Sequence, residues 1–487
     1  MAALVALMAG ALTLNRALVG VFYDDGLYAG LAVALAQGLG YVHPHLPGMP
    51  ACVHYPPIYP LVLAPIFGVL PLGAAAMVAK VLNVLLAAAG TGLVAQHATR
   101  AGLVENGAPW WLGAVAATSA AVAIPYLATQ GVLFAEPLFA ALLALAVAWA
   151  DRGRPWLAGV AAALALLTRS IAVAAGAGIV LYVLAGRRDG WRSAARALVP
   201  VAGAVIAWGV WVAVHRDGID PALALNYGSY DGPLAQAGLA ALGRGISELT
   251  RPLGAITLGW MPVAVQYVVG GAALGILIYG LALLVRRSSV GATLVFYLAI
   301  LAVWPYPPDR FLWVVLPWLA VAWAAGAAAL WARPRFRIPV AVVAAGVGIG
   351  YGMYEVRGFA GRWWEGAARA VSVNFEELLP AIATLPDEAV VAVDNEALVW
   401  LYTRRRTVPL YLYSYRGTEL VEPPPAEHRA YLERQGTTHI VLASSTSPSG
   451  RELRALIGAY PDWLAPIHGW PGGRWIFAVR RLEPVRP

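Results

Sequence analysis

The sequence predicts a polytopic α-helical membrane protein of about eleven transmembrane helices, with outer interfacial helices and a small C-terminal extracytoplasmic α/β domain. Three observations predict it. Of the 487 residues, 60% are hydrophobic and only 12% charged, against roughly 25% charged in soluble domains, and the mean hydropathy is +0.67. Apolar runs of about 20 residues, the length that crosses a bilayer as a helix, recur along the chain. After residue 356 that pattern gives way to short β-branched runs alternating with amphipathic stretches.

In chain order the apolar runs fall near residues 1–21, 73–98, 108–127, 135–150, 155–168, 170–186, 195–214, 262–285, 290–305, 311–331 and 338–356. The first lacks leading basic residues and a small-residue cleavage site, so it reads as a retained helix rather than a signal peptide. With a cytoplasmic N-terminus, one set of connections holds twelve arginines: 100, 152, 154, 187, 188, 192, 196, 286, 287, 333, 335 and 337. The opposite set holds Asp24, Asp25, Glu136, Asp217, Asp220, Asp231, Glu248 and Asp309. The positive-inside rule then turns the acidic side outward. The net charge of +8 is a topological signal, because residues 1–356 carry 19 basic and 12 acidic groups while residues 357–487 carry 15 and 14. No nucleic-acid partner need be invoked.

Two outward connections, 23–72 and 215–261, are too long to be turns, and loops of that length usually carry function. Within the first, "YAGLAVALAQGLGY" and "IYPLVLAPIFGVL" are apolar but too short to span, which predicts helices lying at the membrane surface and walling an outer cavity. The division is therefore 1–356 for the membrane domain and 357–487 for the soluble one, where "AVVAVD", "TVPLYLY", "THIVLAS" and "RWIFAVRR" read as strands and "PAEHRAYLERQG" and "SGRELRALIGAY" as helices.

The outward residues with chemical potential follow. Asp24 and Asp25 sit at a membrane boundary, where an ionisable group is costly to desolvate and so suggests function; a solvated helix end is the plain alternative. Tyr23 and Tyr28 flank them and narrow a pocket. "HYPPIYP" brings His54 and Tyr55 ahead of paired prolines that stiffen the backbone. Arg169, in "LLTRSIAV", is an embedded guanidinium that requires an anion: a phosphate or carboxylate ligand, or an internal ion pair with Glu136 of "GVLFAEPLF". "WPYPPDRFLWVVLPW" sets Asp309 and Arg310 among aromatics suited to a sugar or a lipid chain, or to interfacial anchoring. Lys80 either snorkels or meets a phosphate, with snorkelling the simpler account. His43, His45 and His54 with Cys52 lack the spacing of a metal site, and Asp394, Asn395 and Glu396 read as a helix N-cap region. No GxxxxGK loop, HExxH or GxSxG element occurs, which removes support for ATP-driven transport and for common hydrolases.

These residues carry a family resemblance. "DDGLYAGLA", Asp24 to Ala32, resembles the acidic opening of the first outer loop in GT-C glycosyltransferases, in particular the bacterial aminoarabinose transferases of lipid A and the protein O-mannosyltransferases. The resemblance continues in order through "PPIYPLVLAPIFGVLPLG", Glu136, "LTRS" and "DRFLWVVLPWLA", covering most of residues 20–330. It implies a bacterial inner-membrane enzyme that takes a sugar from a polyprenyl-phosphate donor and transfers it, with inversion, to an acceptor hydroxyl on a lipid, glycan or protein at the outer face. Asp24 aligns with the leading Asp, the expected base. Asp25 then supports it or contacts the sugar, Arg169 and Arg310 hold phosphate with Lys80 a weaker third, and Tyr28, His54 and Tyr55 shape the sugar pocket. No resident cofactor is expected, and a divalent metal is neither required nor excluded. The chain departs from many relatives at Asp25, where they carry Glu, and ahead of the paired prolines, where some carry a basic residue and this chain has His54. The rival reading is a lipid or polysaccharide flippase, which calls for inverted repeats with interrupted helices; none is visible.

Overall fold

The computed structural model describes residues 1–104, 107–186, 190–228, 245, 262–304, 307–416 and 419–480. Most of the second long loop, including Asp231 and Glu248, and Arg187 and Arg188 lie outside the described residues. Each of the eleven apolar runs coincides with a helix: Ala2–Ala11 (α1), Leu72–Arg100, Leu112–Ala121, Glu136–Asp151, Pro155–Leu166, Val173–Gly186, Gly190–His215, Val263–Val285, Ser289–Ala302, Asp309–Trp331 and Arg337–Gly361. Among the described residues, five helical stretches are long and apolar enough to cross a membrane, and six shorter apolar helices run 10–17 residues. At about 1.5 Å per residue the shortest of these reach roughly half of a 30 Å hydrocarbon core.

The first run departs from expectation. Helix α1 stops at Ala11, because Thr13 and Asn15 bind backbone groups that a continuing helix would need. The Thr13 hydroxyl donates to the Gly10 carbonyl at 2.7 Å. The Asn15 amide donates to the carbonyls of Thr13 and Gly131, and its oxygen accepts from the Ala17 amide. Such local bonds compete with helix, so residues 12–23 thread as a non-helical strap toward the next helix.

That helix, α2 (Asp24–Ala36), is also corrected. It does not lie on a surface: every residue from Asp25 to Ala34 is buried, as a helix apolar all round must be. One neighbour is α3 (Ile58–Val69), which exposes Leu61, Val62 and Val69. The other is the C-terminal segment.

The C-terminal segment holds a five-stranded sheet in the order β2-β1-β5-β7-β6, formed by Val390–Val393 (β1), Arg406–Pro409 (β2), His439–Leu442 (β5), Leu464–Trp470 (β6) and Arg474–Val479 (β7). The first three neighbours are parallel, and β7 runs antiparallel to β5 and β6. Ser414–Arg416 (β3) and Glu419–Val421 (β4) form a separate hairpin. The four expected strands appear; β6 and the hairpin were not foreseen, since β6 is broken by Pro466 and Gly469 and lacks apolar alternation.

The helix Glu396–Thr403 docks the sheet onto the first loop. A Cβ on Gly26 would meet the Gly20 Cα at 2.8 Å and the Ala397 Cβ at 3.1 Å, so these backbones approach closer than any side chain allows. Gly20 has φ +99°, open to glycine at little cost. Asn395 donates to the Gly20 and Val21 carbonyls at 2.8 and 3.1 Å. The Tyr402 hydroxyl accepts from the Val19 amide. One apolar core then runs from Leu27 and Tyr59 through Trp400 and Val408 to Trp463.

Candidate functional site

The strap enters α2 through Tyr23, with φ 67° and ψ −71°. The Asp24 amide bonds the Phe22 carbonyl at 2.8 Å, which makes this a γ-turn of the rare positive-φ form. A bulky residue held there stores about 1–3 kcal/mol of strain, a cost that clusters at functional sites. The turn delivers Asp24 to the floor of a cleft of about 260 Å³.

Four charged groups meet at that floor. Asp24 Oδ1 accepts from the Tyr55 hydroxyl at 2.7 Å, and Oδ2 accepts from an Arg310 terminal nitrogen at 2.8 Å. The second Arg310 terminal nitrogen reaches Glu136 Oε1 at 2.7 Å. Arg169 pairs with that same oxygen at 2.6 Å. Phe134 lies under the Arg310 guanidinium at 3.8 Å and Phe311 under Arg169 at 4.6 Å, and both faces add cation–π attraction. Two carboxylates thus balance two guanidiniums. Burial raises the Asp24 pKa, but Arg310, the Tyr55 hydrogen bond and Arg169 outweigh it and hold the carboxyl below its usual range.

The remaining walls are aromatic and polar. Tyr28 packs edge-on against both Tyr55 and Tyr59, with centroids 5.1 Å apart in each pair. His54 lines the cleft and its Nδ1 lies 2.7 Å from the Gly228 carbonyl, while burial depresses its pKa. Thr168 and Ser170 flank Arg169, and Trp304 with Phe311 closes the side.

Tyr28, His54, Tyr55, Arg169 and Arg310 therefore line the cleft with Asp24. Three expected site residues do not. Asp25 turns the other way and accepts from the Gly20 and Phe22 amides, both at 2.8 Å. Burial pushes its carboxyl up to about 6; its task is to pin the strap. Lys80 does not snorkel and meets no cleft, because its ammonium donates to the Asn15 carbonyl, the Asn15 side chain and the Ala17 carbonyl at 3.0–3.1 Å. Glu136 sits behind the arginines rather than in the cleft wall, and Arg169 forms the internal ion pair with Glu136.

Tyr413 was not foreseen. It comes from the C-terminal segment, and only its place in a tyrosine-rich run, "LYLYSY", hinted at a wall. His43 and His45 pack around Tyr227, and no group of three or more His, Cys, Asp or Glu side chains able to hold a metal occurs among the described residues.

The model of glycosyltransferase family 87 matches residues 54–298, just over half of the chain. No curated protein matches the sequence. Among solved structures, ArnT from Cupriavidus metallidurans bound to undecaprenyl phosphate aligns over 97% of this chain and 96% of its own, with 16% identity and a TM-score of 0.50. The Archaeoglobus fulgidus oligosaccharyltransferase in complex with Zn and sulfate aligns over 98% of this chain and 72% of its own, with 13% identity and a TM-score of 0.54. The oligosaccharyltransferase AglB from Archaeoglobus fulgidus, in complex with an inhibitory peptide and a dolichol-phosphate, covers 99% and 74%, with 12% identity and a TM-score of 0.52. At these identities the similarity establishes the fold.

Proposed function

Since the chain belongs to glycosyltransferase family 87 and is a multi-pass membrane protein of the GT-C fold, we propose that it transfers a sugar from a polyprenyl-phosphate donor to an acceptor hydroxyl, with Asp24 as general base. The observation that carries this is one ionised carboxylate on the floor of a cleft that two guanidiniums share. Membership of a glycosyltransferase family also removes the flippase alternative. The placement of the cleft at the outer face rests on the twelve arginines of the opposite loops.

The chemistry is a single displacement. The acceptor oxygen bonds to the anomeric carbon from the face opposite the phosphate, which inverts the centre, and its proton passes to Asp24. The anomeric carbon–oxygen bond breaks with its electron pair going to the lipid phosphate. That phosphate leaves as an anion, so no general acid is needed. Arg310 and Arg169 neutralise it where charge develops, as fixed donors do. The Arg310 Nε, a buried donor with no partner among the described residues, is free for a phosphate oxygen. Phosphate drawing Arg310 toward it loosens the grip on Asp24, and the carboxylate becomes a stronger base when the donor is bound. The bilayer supplies the donor and holds the enzyme.

The test is release of lipid phosphate from a panel of polyprenyl-phosphate sugars by purified protein, wild type against Asp24→Asn. A general base contributes about 10²–10⁴-fold, and equal turnover by both proteins sinks the assignment.

A further inference from the structure

A second cavity, of about 230 Å³, adjoins the cleft and shares Tyr23 and Tyr413 with it. The two are chemically opposite. The first has guanidiniums facing in; the second is walled by Asp394, Asn395 and Glu396, and among the described residues no basic side chain lines it. That wall repels a phosphate and suits a ligand rich in neutral hydroxyls.

An unused polar atom points to an occupant. Asn226 is 8% exposed and lines this cavity, and its Oδ1 has no hydrogen-bond partner among the described residues. A buried amide oxygen left unpaired costs about 1–3 kcal/mol, which a ligand hydroxyl recovers. Tyr411 and Tyr413 also line the cavity, near-parallel with centroids 5.2 Å apart, and add an aromatic face to the polar groups. The carboxyls are anchored rather than floating: the Ser449 hydroxyl donates to Asp394, and the Tyr227 hydroxyl to Glu396. Burial raises the pKa of both, with Glu396 at about 7, so Glu396 can donate as well as accept.

The partition between the two spaces is Tyr23, the residue in the strained turn directly before Asp24. Tyr23 and Tyr413 line both spaces, so a ligand in the second cavity borders the walls of the cleft that holds Asp24. We propose that this second cavity is the acceptor subsite and that it takes the sugar head of a glycan-bearing acceptor, held by Asn226 and Asp394 with a ring face against Tyr411. The inference rests on the transfer reading of the first cleft, and its test must not fail merely because that reading fails.

Binding supplies such a test, because it needs no turnover. Full-length protein in nanodiscs is titrated with octyl glycosides of mannose, glucose and galactose, with octanol as the control for the tail, and read by thermal shift. At least one glycoside is expected to bind more tightly than octanol, in wild type and equally in Asp24→Asn. Asn226→Ala and Asp394→Asn are each expected to weaken it at least tenfold while donor binding stays within twofold. Asp394→Asn keeps a polar partner for Ser449, so it guards against loss through misfolding of Asn226→Ala. Glycoside binding no tighter than octanol, or unchanged in both cavity variants, overturns the subsite whatever Asp24 does. Loss in the cavity variants beside an active Asp24→Asn keeps the subsite and retires the base.

Discussion

Arg310 and Asp24 stand 286 residues apart in sequence and 2.8 Å apart in space, each in the first turn of its own helix. The guanidinium spans Asp24 and Glu136 at once, a fork that no ammonium can copy. Arg310→Ala is expected to lower kcat/KM by at least a hundredfold. Arg310→Lys should recover part of that loss, because a point charge replaces one arm. Equal activity of the two variants in the lipid-phosphate assay refutes the forked role.

Tyr55 sets the basicity of Asp24. Its hydrogen bond favours the ionised carboxylate, so Tyr55→Phe raises the Asp24 pKa toward the usual carboxylate value. The acid limb of kcat/KM against pH, which reports the free enzyme, should move to higher pH. Activity is lost as pH falls through that limb, and an unmoved limb breaks the assignment.

Glu136 acts through the arginines it holds. Both guanidiniums converge on its Oε1, and its Oε2 has no partner among the described residues. Glu136→Gln removes the counter-charge but leaves phosphate affinity intact or raised. The expected outcome is a fall in kcat of about tenfold or more with no rise in donor KM. A raised KM at constant kcat indicates direct substrate contact instead.

Lys80 belongs to the scaffold. Its 3% exposed side chain ties helix Leu72–Arg100 to the strap that carries Tyr23. Lys80→Met forfeits charge-assisted bonds of about 1.5–3 kcal/mol each and strands the carbonyls they satisfied. It should lower the melting temperature while the donor KM stays within twofold. A rise in donor KM with unchanged melting returns Lys80 to the phosphate.

In the C-terminal segment His428 Nδ1 lies 3.3 Å from Glu452 Oε2. Burial pushes His428 down to about 4 and Glu452 up to about 8, so both are neutral between those values. For Glu452 the folded pKa exceeds the unfolded value of about 4.3. Its contribution is full below that value and is lost as pH rises toward 8. His428 runs the other way: its folded pKa lies below the unfolded value of about 6.5, so stability is lost as pH falls from there toward 4. Glu452→Gln should flatten the melting-temperature decline between about pH 5 and 8 and leave the acid side untouched. A decline that survives the substitution assigns it to other groups.

Sequence alone determined the class of protein, the eleven helical runs and their order, and the acidic boundary after the first. These are local signals: a run of apolar residues declares a helix without reference to anything distant. The positions that matter in the cleft were also visible as odd charges in apolar surroundings, Asp24, Arg169 and Arg310 among them. Tertiary structure alone decided what those charges do. Asp24 and Asp25 are neighbours in sequence, yet a helix turns about 100° per residue, so one faces the arginines and the other the backbone of the strap. Whether Glu136 meets substrate or guanidinium depended on helix phase and packing between segments far apart in the chain. Tyr413 and Asn226 entered because the C-terminal segment docks through Gly20 and Gly26 onto the first loop. Contacts of that kind arise from the complementarity of two surfaces, and neither segment carries the shape of the other in its own residues.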